Sequence, residues 1–207
     1  MASTGTSRDH LVATARACLD EHGLEGLTLR EVARRAGVSH GAPLRHFDSL
    51  VALCSAVATE AFQGLYAAVA EALEAAGDDP RQRLRASGAA YVGFAVANPG
   101  AYSLMFRPDR CDMADPDLRD AADAAFAQLL FSVSEAQGAG WRPDEHTAEL
   151  AGVVWASVHG IASLTIQGSL PAAVTRNGGD ADLTHLVGLA QDLLGPRPTI
   201  IATGGEP

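Results

Sequence analysis

What this 207-residue chain has little of narrows its class. Its three cysteines, Cys18, Cys54 and Cys111, lie far apart and form no C-x-x-C pair. That spacing argues against a structural zinc site or a disulfide framework and fits reduced thiols in a cytosol. Aromatic residues make up 5%. Ile, Phe and Tyr are sparse beside abundant Ala, Leu and Arg, which favours helices over sheets. No segment alternates as a strand would, and none repeats. Lysine is absent, so all 15 basic residues are arginines, against 25 acids and a formal net charge of −10. No Gly-rich phosphate loop, metal-spaced His/Glu cluster or nucleophile motif is found, so an enzyme, a cofactor and a bound metal are all unexpected. Asp144, His146 and Glu149 share part of a helix face, but near a helix start they read as capping charges.

What is present suits a soluble globular chain: 47% apolar and 19% charged residues. The first residues lack the basic, apolar and small-residue order of a secretion signal. Residues 86–106 and 150–175 are uncharged for long enough to span a bilayer. Asn98-Pro99-Gly100 breaks the first, and the second contains His159, Gln167 and many small residues. Helices buried in protein explain both more cheaply, so a cytoplasmic protein without membrane contact is expected.

Charge is uneven along the chain. Residues 1–50 carry six arginines and six acids, whereas residues 51–207 carry nine arginines and nineteen acids. Four of the seven histidines (10, 22, 40 and 46) fall in the first fifty residues. An acidic body repels polyanions, leaving the neutral head as the surface suited to nucleic acid.

Helix signals follow one another. Leu11, Val12, Ala15, Cys18, Leu19 and His22 recur at helical spacing until Gly23. Thr28-Leu29-Arg30-Glu31 reads as a capping box. The helix it opens ends at Gly37, and Ser39 caps another through Phe47. A long helix starts near Asp48 or Ser49. Asp79-Pro80, Asn98-Pro99 and Asp115-Pro116 each place a capping side chain before a proline at the first helical position. Together with Arg142-Pro143, they predict helices near 80–97, 99–107, 116–138 and 143–168. Residues 169–181 read as a loop and about 182–194 as a last helix. The expected fold is all-α with about nine helices: a head over 1–50, a body over 51–195, and a disordered tail over 196–207.

Residues 28–47, TLREVARRAGVSHGAPLRHF, place two short helices around Gly37-Val38-Ser39. Ala33 is small where the helices cross, Gly37 supplies a left-handed turn, and Val38 fills the space between them. This is the layout of a helix-turn-helix, whose second helix enters the DNA major groove. Pro43 deletes one backbone bond of that helix unless it lies in the unpaired first turn. Arg34 and Arg35 read as a solvated face.

From Thr28 to Leu53 the chain resembles the DNA-binding domain of the TetR family of repressors. The remainder resembles a TetR subfamily with a Trp-His-Gly ligand domain, through Tyr91-Val92-Gly93-Phe94-Ala95, Asn98-Pro99, Tyr102-Ser103-Leu104-Met105-Phe106 and Trp155-x-x-x-His159-Gly160. The resemblance implies that Thr28 and Arg30 touch phosphates. It implies a recognition surface of Ser39, His40, Gly41, Pro43, Arg45 and His46, with Arg45 suited to reading guanine through two hydrogen bonds. Phe47 would anchor the segment in the core. Leu44 and Leu50 replace the family's phosphate-holding Tyr and Lys, which should weaken the salt-dependent part of binding.

In the body, small residues facing large ones leave room for a ligand between helices. Tyr91, Phe94, Tyr102 and Met105, with Phe106, Phe126, Trp155 and His159, are the candidate ligand contacts. Tyr91, Trp155 and His159 also read as ordinary core residues. Because the inward stretches lack cations, the expected ligand is apolar and neutral or cationic. Apolar stripes on the last two long helices include Val153, Val154, Val158, Leu186, Val187 and Leu193. The resemblance implies that these helices pair with their copies in a homodimer on a near-palindromic operator. The leading expectation is a ligand-responsive repressor. The alternatives are a non-DNA-binding interaction protein with a degenerate helix-turn-helix and a helical-bundle enzyme.

Overall fold

The computed structural model describes residues 7–195. It contains nine α-helices and one 3-10 turn, and no strand among the described residues. The helices are α1 (Arg8–Gly26), α2 (Leu29–Arg35), α3 (Leu50–Ala75), α4 (Pro80–Ala97) and α5 (Pro99–Met105), then α6 (Pro116–Gly138), α7 (Thr147–Ile166), α8 (Ser169–Arg176) and α9 (Leu183–Leu193). The expected all-α class is therefore observed. The tail assigned to 196–207 lies outside the described residues.

Side-chain caps set most helix starts. Thr28 Oγ1 accepts from the Glu31 amide, Ser49 Oγ from Ala52, Asp79 from Arg81, Asp115 from Leu118, and Asp182 from Thr184. Each cap satisfies one of the unpaired first-turn amides. Three expected caps fail, that of Ser39 because no α-helix follows it. Asn98 does not cap α5, because its amide nitrogen donates to the Phe94 carbonyl and its oxygen accepts from Arg16. Glu31 does not close the capping box: Arg34 and Arg35 hold its carboxylate instead, at 2.6–2.9 Å.

Three boundaries differ from the sequence expectation. Gly23 is not among them: at φ 64° and ψ −172° it breaks the helical backbone of α1, as expected. Residues 39–47 form no α-helix. A helix capped by Ser39 would make its first main-chain bond from residue 43, and Pro43 has no N–H to give. The Ser39 carbonyl accepts from Ala42 instead, and only the 3-10 turn Pro43–Arg45 follows. Residues 143–146 are not helical. Gln137 ties up the Arg142 and Glu145 carbonyls with its side-chain amide, and α7 starts at Thr147. The segment read as a loop at 169–181 contains α8, with Pro171 in the first turn, where no main-chain bond is lost.

Helix α3 lies at the centre, packed on α1, α4, α5 and α6. One apolar cluster runs from Leu11 in α1 through α3 to Val187 in α9. A second joins Leu84, Val133, Trp141 and Val154. Helices Leu50–Ala75 and Thr147–Ile166 are long and apolar enough to cross a membrane, but both contribute buried residues to these clusters. The last two long helices divide their apolar stripes. Val154, Val158 and Val187 are buried within the protomer, whereas Val153, Leu164, Leu189 and Leu193 are exposed.

All three cysteines are free and buried. Burial pushes the thiol of Cys54 up to about 11 and that of Cys111 up to about 12, and raises Cys18 as well. Because the thiolate is the reactive species, the folded protein should leave an aromatic disulfide reagent at pH 8 unconsumed. Addition of denaturant should then release three equivalents of reactive thiol.

Candidate functional site

The candidate site residues fall in two separate places. The first is the turn after α2. Ser39, His40, Gly41, Arg45 and His46 are exposed there, together with Thr28 and Arg30 at the start of α2. Arg30 and Arg45 have no ion pair among the described residues. Pro43, expected on the recognition surface, is buried. It shapes the turn from beneath, because its ring sits where the missing main-chain donor would be. Ser39 offers its hydroxyl to solvent rather than to a helix cap. Phe47 is buried as expected, and the Arg8 guanidinium lies 5.2 Å from its ring centroid. Leu44 is 54% exposed.

Arg34 is exposed, as the solvated-face reading expects, although it also pairs with Glu31, whereas Arg35 is half-buried. Arg35 spans Glu31 at 2.9 Å and Glu21 at 2.5 Å, pinning α2 to α1. The two guanidiniums hold the Glu31 carboxyl down at about 2. These arginines are engaged by carboxylates within the head, whereas Arg30 and Arg45, like Arg8 beside Phe47, have no ion pair among the described residues.

The second place is a cavity of about 530 Å³ between α3, α4, α5, α6 and α7. Tyr91, Met105, Phe106, Phe126 and Trp155 line it as expected. Phe94, Tyr102 and His159 do not. Phe94, three residues beyond Tyr91 on α4, faces α3, where a methyl group on Gly64 would come within 3.1 Å of its ring. Tyr102 and His159 stand behind the wall. The Tyr102 hydroxyl is 2.8 Å from His159 Nδ1, the Tyr91 hydroxyl is 3.1 Å from both, and Trp155 Nε1–H donates to Tyr91 at 3.2 Å. A neutral imidazole with a bare Nδ1 satisfies every group in turn: Trp155 donates to Tyr91, Tyr91 to Tyr102, and Tyr102 to His159. The core reading of His159 thus holds in its partnered form. The sequence reading missed the α3 wall (Phe62, Leu65 and Val69) and Asp123 at the rim. The α3 residues sit on an ordinary core stripe, and Asp123 on an exposed helix face, so neither carried a distinguishing signal.

Burial lowers the pKa of His159 from its ordinary 6.5 and raises those of both tyrosines. The unfolded chain therefore takes up the His159 proton first as pH falls. The stability from this site is present above about pH 6.5 and is lost as pH drops through the lower folded value. Urea midpoints measured at pH 7.5 and 5.5 should show a smaller acid-side loss in a His159→Gln variant than in the parent. Equal losses would refute this linkage.

Helix α5 joins the cavity wall to α1 of the head. Its Met105 lines the cavity, and its Gly100 touches α1, where a methyl group would come within 2.9 Å of the Leu19 carbonyl carbon. Arg16 bonds Asn98, and Arg110 bonds Glu25 at 2.7 Å, across the same junction.

Comparison with known proteins agrees with this layout. Residues 11–57 match the model described as bacterial regulatory proteins, tetR family. Residues 84–187 match the tetracyclin repressor-like, C-terminal domain. The chain is similar to the HTH-type transcriptional regulators BetI of Burkholderia thailandensis and Burkholderia ambifaria, at 39% identity over 79 residues, which is 38% of this chain. That match covers only 40–41% of those relatives' length. Among solved structures, a protein of unknown function from Rhodococcus sp. RHA1 is 36% identical with a TM-score of 0.77, over 90% of this chain and 92% of that one. A TetR family transcription regulator from Marinobacter aquaeolei VT8 shares the fold, with a TM-score of 0.67 at 16% identity over 92% of this chain and 96% of that one. With both halves matched in chain order, this protein belongs to the TetR family of bacterial regulatory proteins.

Proposed function

We propose that the chain is a cytoplasmic, ligand-responsive transcriptional repressor. As a homodimer it binds a near-palindromic operator, and it is released when a small apolar molecule fills the cavity. Residues 1–50 read DNA, and residues 51–195 bind the ligand and the second copy. The observation that carries this reading is the shared helix α5, one end of which lines the cavity while Gly100 packs on α1 of the DNA-reading head. A ligand preferring one α5 position thereby shifts the population of head positions. Two heads move out of register with successive major grooves. The exposed apolar residues of α7 and α9 suit pairing with a second copy.

The test is fluorescence anisotropy with DNA from the region upstream of the protein's own gene, at low and moderate salt. One saturable complex containing two protomers per palindrome is expected. Loss of that complex on addition of a cavity ligand would complete the case. Absence of any sequence-selective binding at either salt concentration overturns the reading. It would favour an interaction protein with a degenerate helix-turn-helix, the reading to which exposed Leu44 and the missing second helix lend support.

A further inference from the structure

We infer that the cavity takes a lipophilic monocation, a bulky tertiary or quaternary ammonium ion. This rests on the ligand-responsive reading of that cavity and adds the class of ligand. Among the residues lining it, Asp123 is the one charged side chain, and it has no ion-pair or hydrogen-bond partner among the described residues. Most neutral donors are already used. The Ser87 hydroxyl donates to the Leu84 carbonyl at 2.8 Å, one N–H of the Gln128 amide to the Tyr66 carbonyl at 3.3 Å, and the Tyr91 hydroxyl belongs to the relay behind the wall. An anion would meet a carboxylate, with the second Gln128 N–H as the one side-chain donor left for it.

The walls favour a cation further. Phe62, Phe106, Trp155 and Phe126 form a chain of rings with centroids 5.8–6.1 Å apart and planes inclined by 43–79°. No pair is stacked face to face. Aromatic faces attract ammonium groups, most strongly where water is excluded. Phe126, Trp155, Met113 and Asp123 are exposed at the mouth, so the carboxylate stands where a cation arrives. The acidic balance of residues 51–207 draws cations toward that mouth over longer range. A volume near 530 Å³ suits a ligand of drug size.

Calorimetric titration of the intact protein with three probes of equal carbon count tests this: benzyltriethylammonium, neutral N,N-dipropylbenzamide and anionic 4-hexylbenzoate. The ammonium should bind at least tenfold more tightly than the amide, and the benzoate more weakly than both. Asp123→Asn should raise the ammonium dissociation constant three- to tenfold and leave that of the amide unchanged. Equal or tighter binding of the amide or benzoate overturns the inference, as does saturation by none of the three or an Asp123→Asn effect shared by ammonium and amide. Operator release is scored separately. If the amide binds more tightly and frees the DNA, the charge assignment fails while the ligand-responsive reading survives. If the ammonium binds as expected and the DNA complex persists, the assignment stands and that reading falls.

Discussion

A Gly100→Val variant should lose on the order of 3 kcal/mol of folding stability, the upper part of the range for overpacking a close contact. A side chain at Gly100 would meet the Leu19 carbonyl carbon at 2.9 Å and Leu19 Cβ at 3.0 Å. The first of these is main chain inside α1 and cannot rotate away, so α5 must retreat from α1. Retreat strains the Arg16–Asn98 and Arg110–Glu25 links made across the same junction. The urea midpoint should fall by about 1–2 M at an unchanged slope. Gly93 provides the control. It lies inside α4 with nothing within 4 Å of an added methyl group. Gly93→Ala should therefore be neutral or stabilising by about 0.5–1 kcal/mol, through helix propensity alone. Equal behaviour of the two variants would refute the claim that α5 and α1 touch through a position only glycine can fill.

Arg45→Ala is expected to cost about 1–3 kcal/mol of operator affinity, roughly 5- to 150-fold, and to blur sequence preference at one base pair per half-site. Arg45 is exposed in the turn after α2, free of any ion pair among the described residues, and flanked by exposed His46 and Leu44. Arg30 is equally free but sits on α2, and the proposed role gives it a phosphate contact. Arg30→Ala should weaken all sequences alike and lower the salt slope by about one per head. An Arg45→Ala footprint identical to the parent would remove the base-reading role.

The sequence disclosed most of the scaffold because its signals were local. Threonine, serine and aspartate caps act within three residues, and proline at the first helical position acts within one. Those caps formed except at Asn98, which Arg16 of α1 engages, at Glu31, which its own neighbours Arg34 and Arg35 engage, and at Ser39, where no α-helix follows. The head's exposed residues were legible because the turn between Gly37 and Phe47 is short and punctuated. The missing second helix was legible in part: Pro43 signals a lost bond, but which bond is lost depends on where the helix would begin. The cavity was the least legible. Aromatic residues on α4, α5 and α7 pointed to it, yet whether Phe94 faces the ligand or α3 depends on helix rotation, which apolar periodicity alone does not fix. Asp123 shows the same limit, since an acid on an exposed helix face becomes part of a mouth only through the packing of four other helices.

The turn over Pro43–Arg45 has a thermodynamic consequence. Under the proposed DNA-reading role, a segment resting as a 3-10 turn would draw on part of its contact energy to wind into helix against a duplex. Association with operator should therefore carry a larger favourable enthalpy, a larger opposing entropy and a more negative heat-capacity change than the contact area of a preformed helix would give. Binding enthalpies followed between about 10 and 35 °C would reveal that excess as a steeper slope.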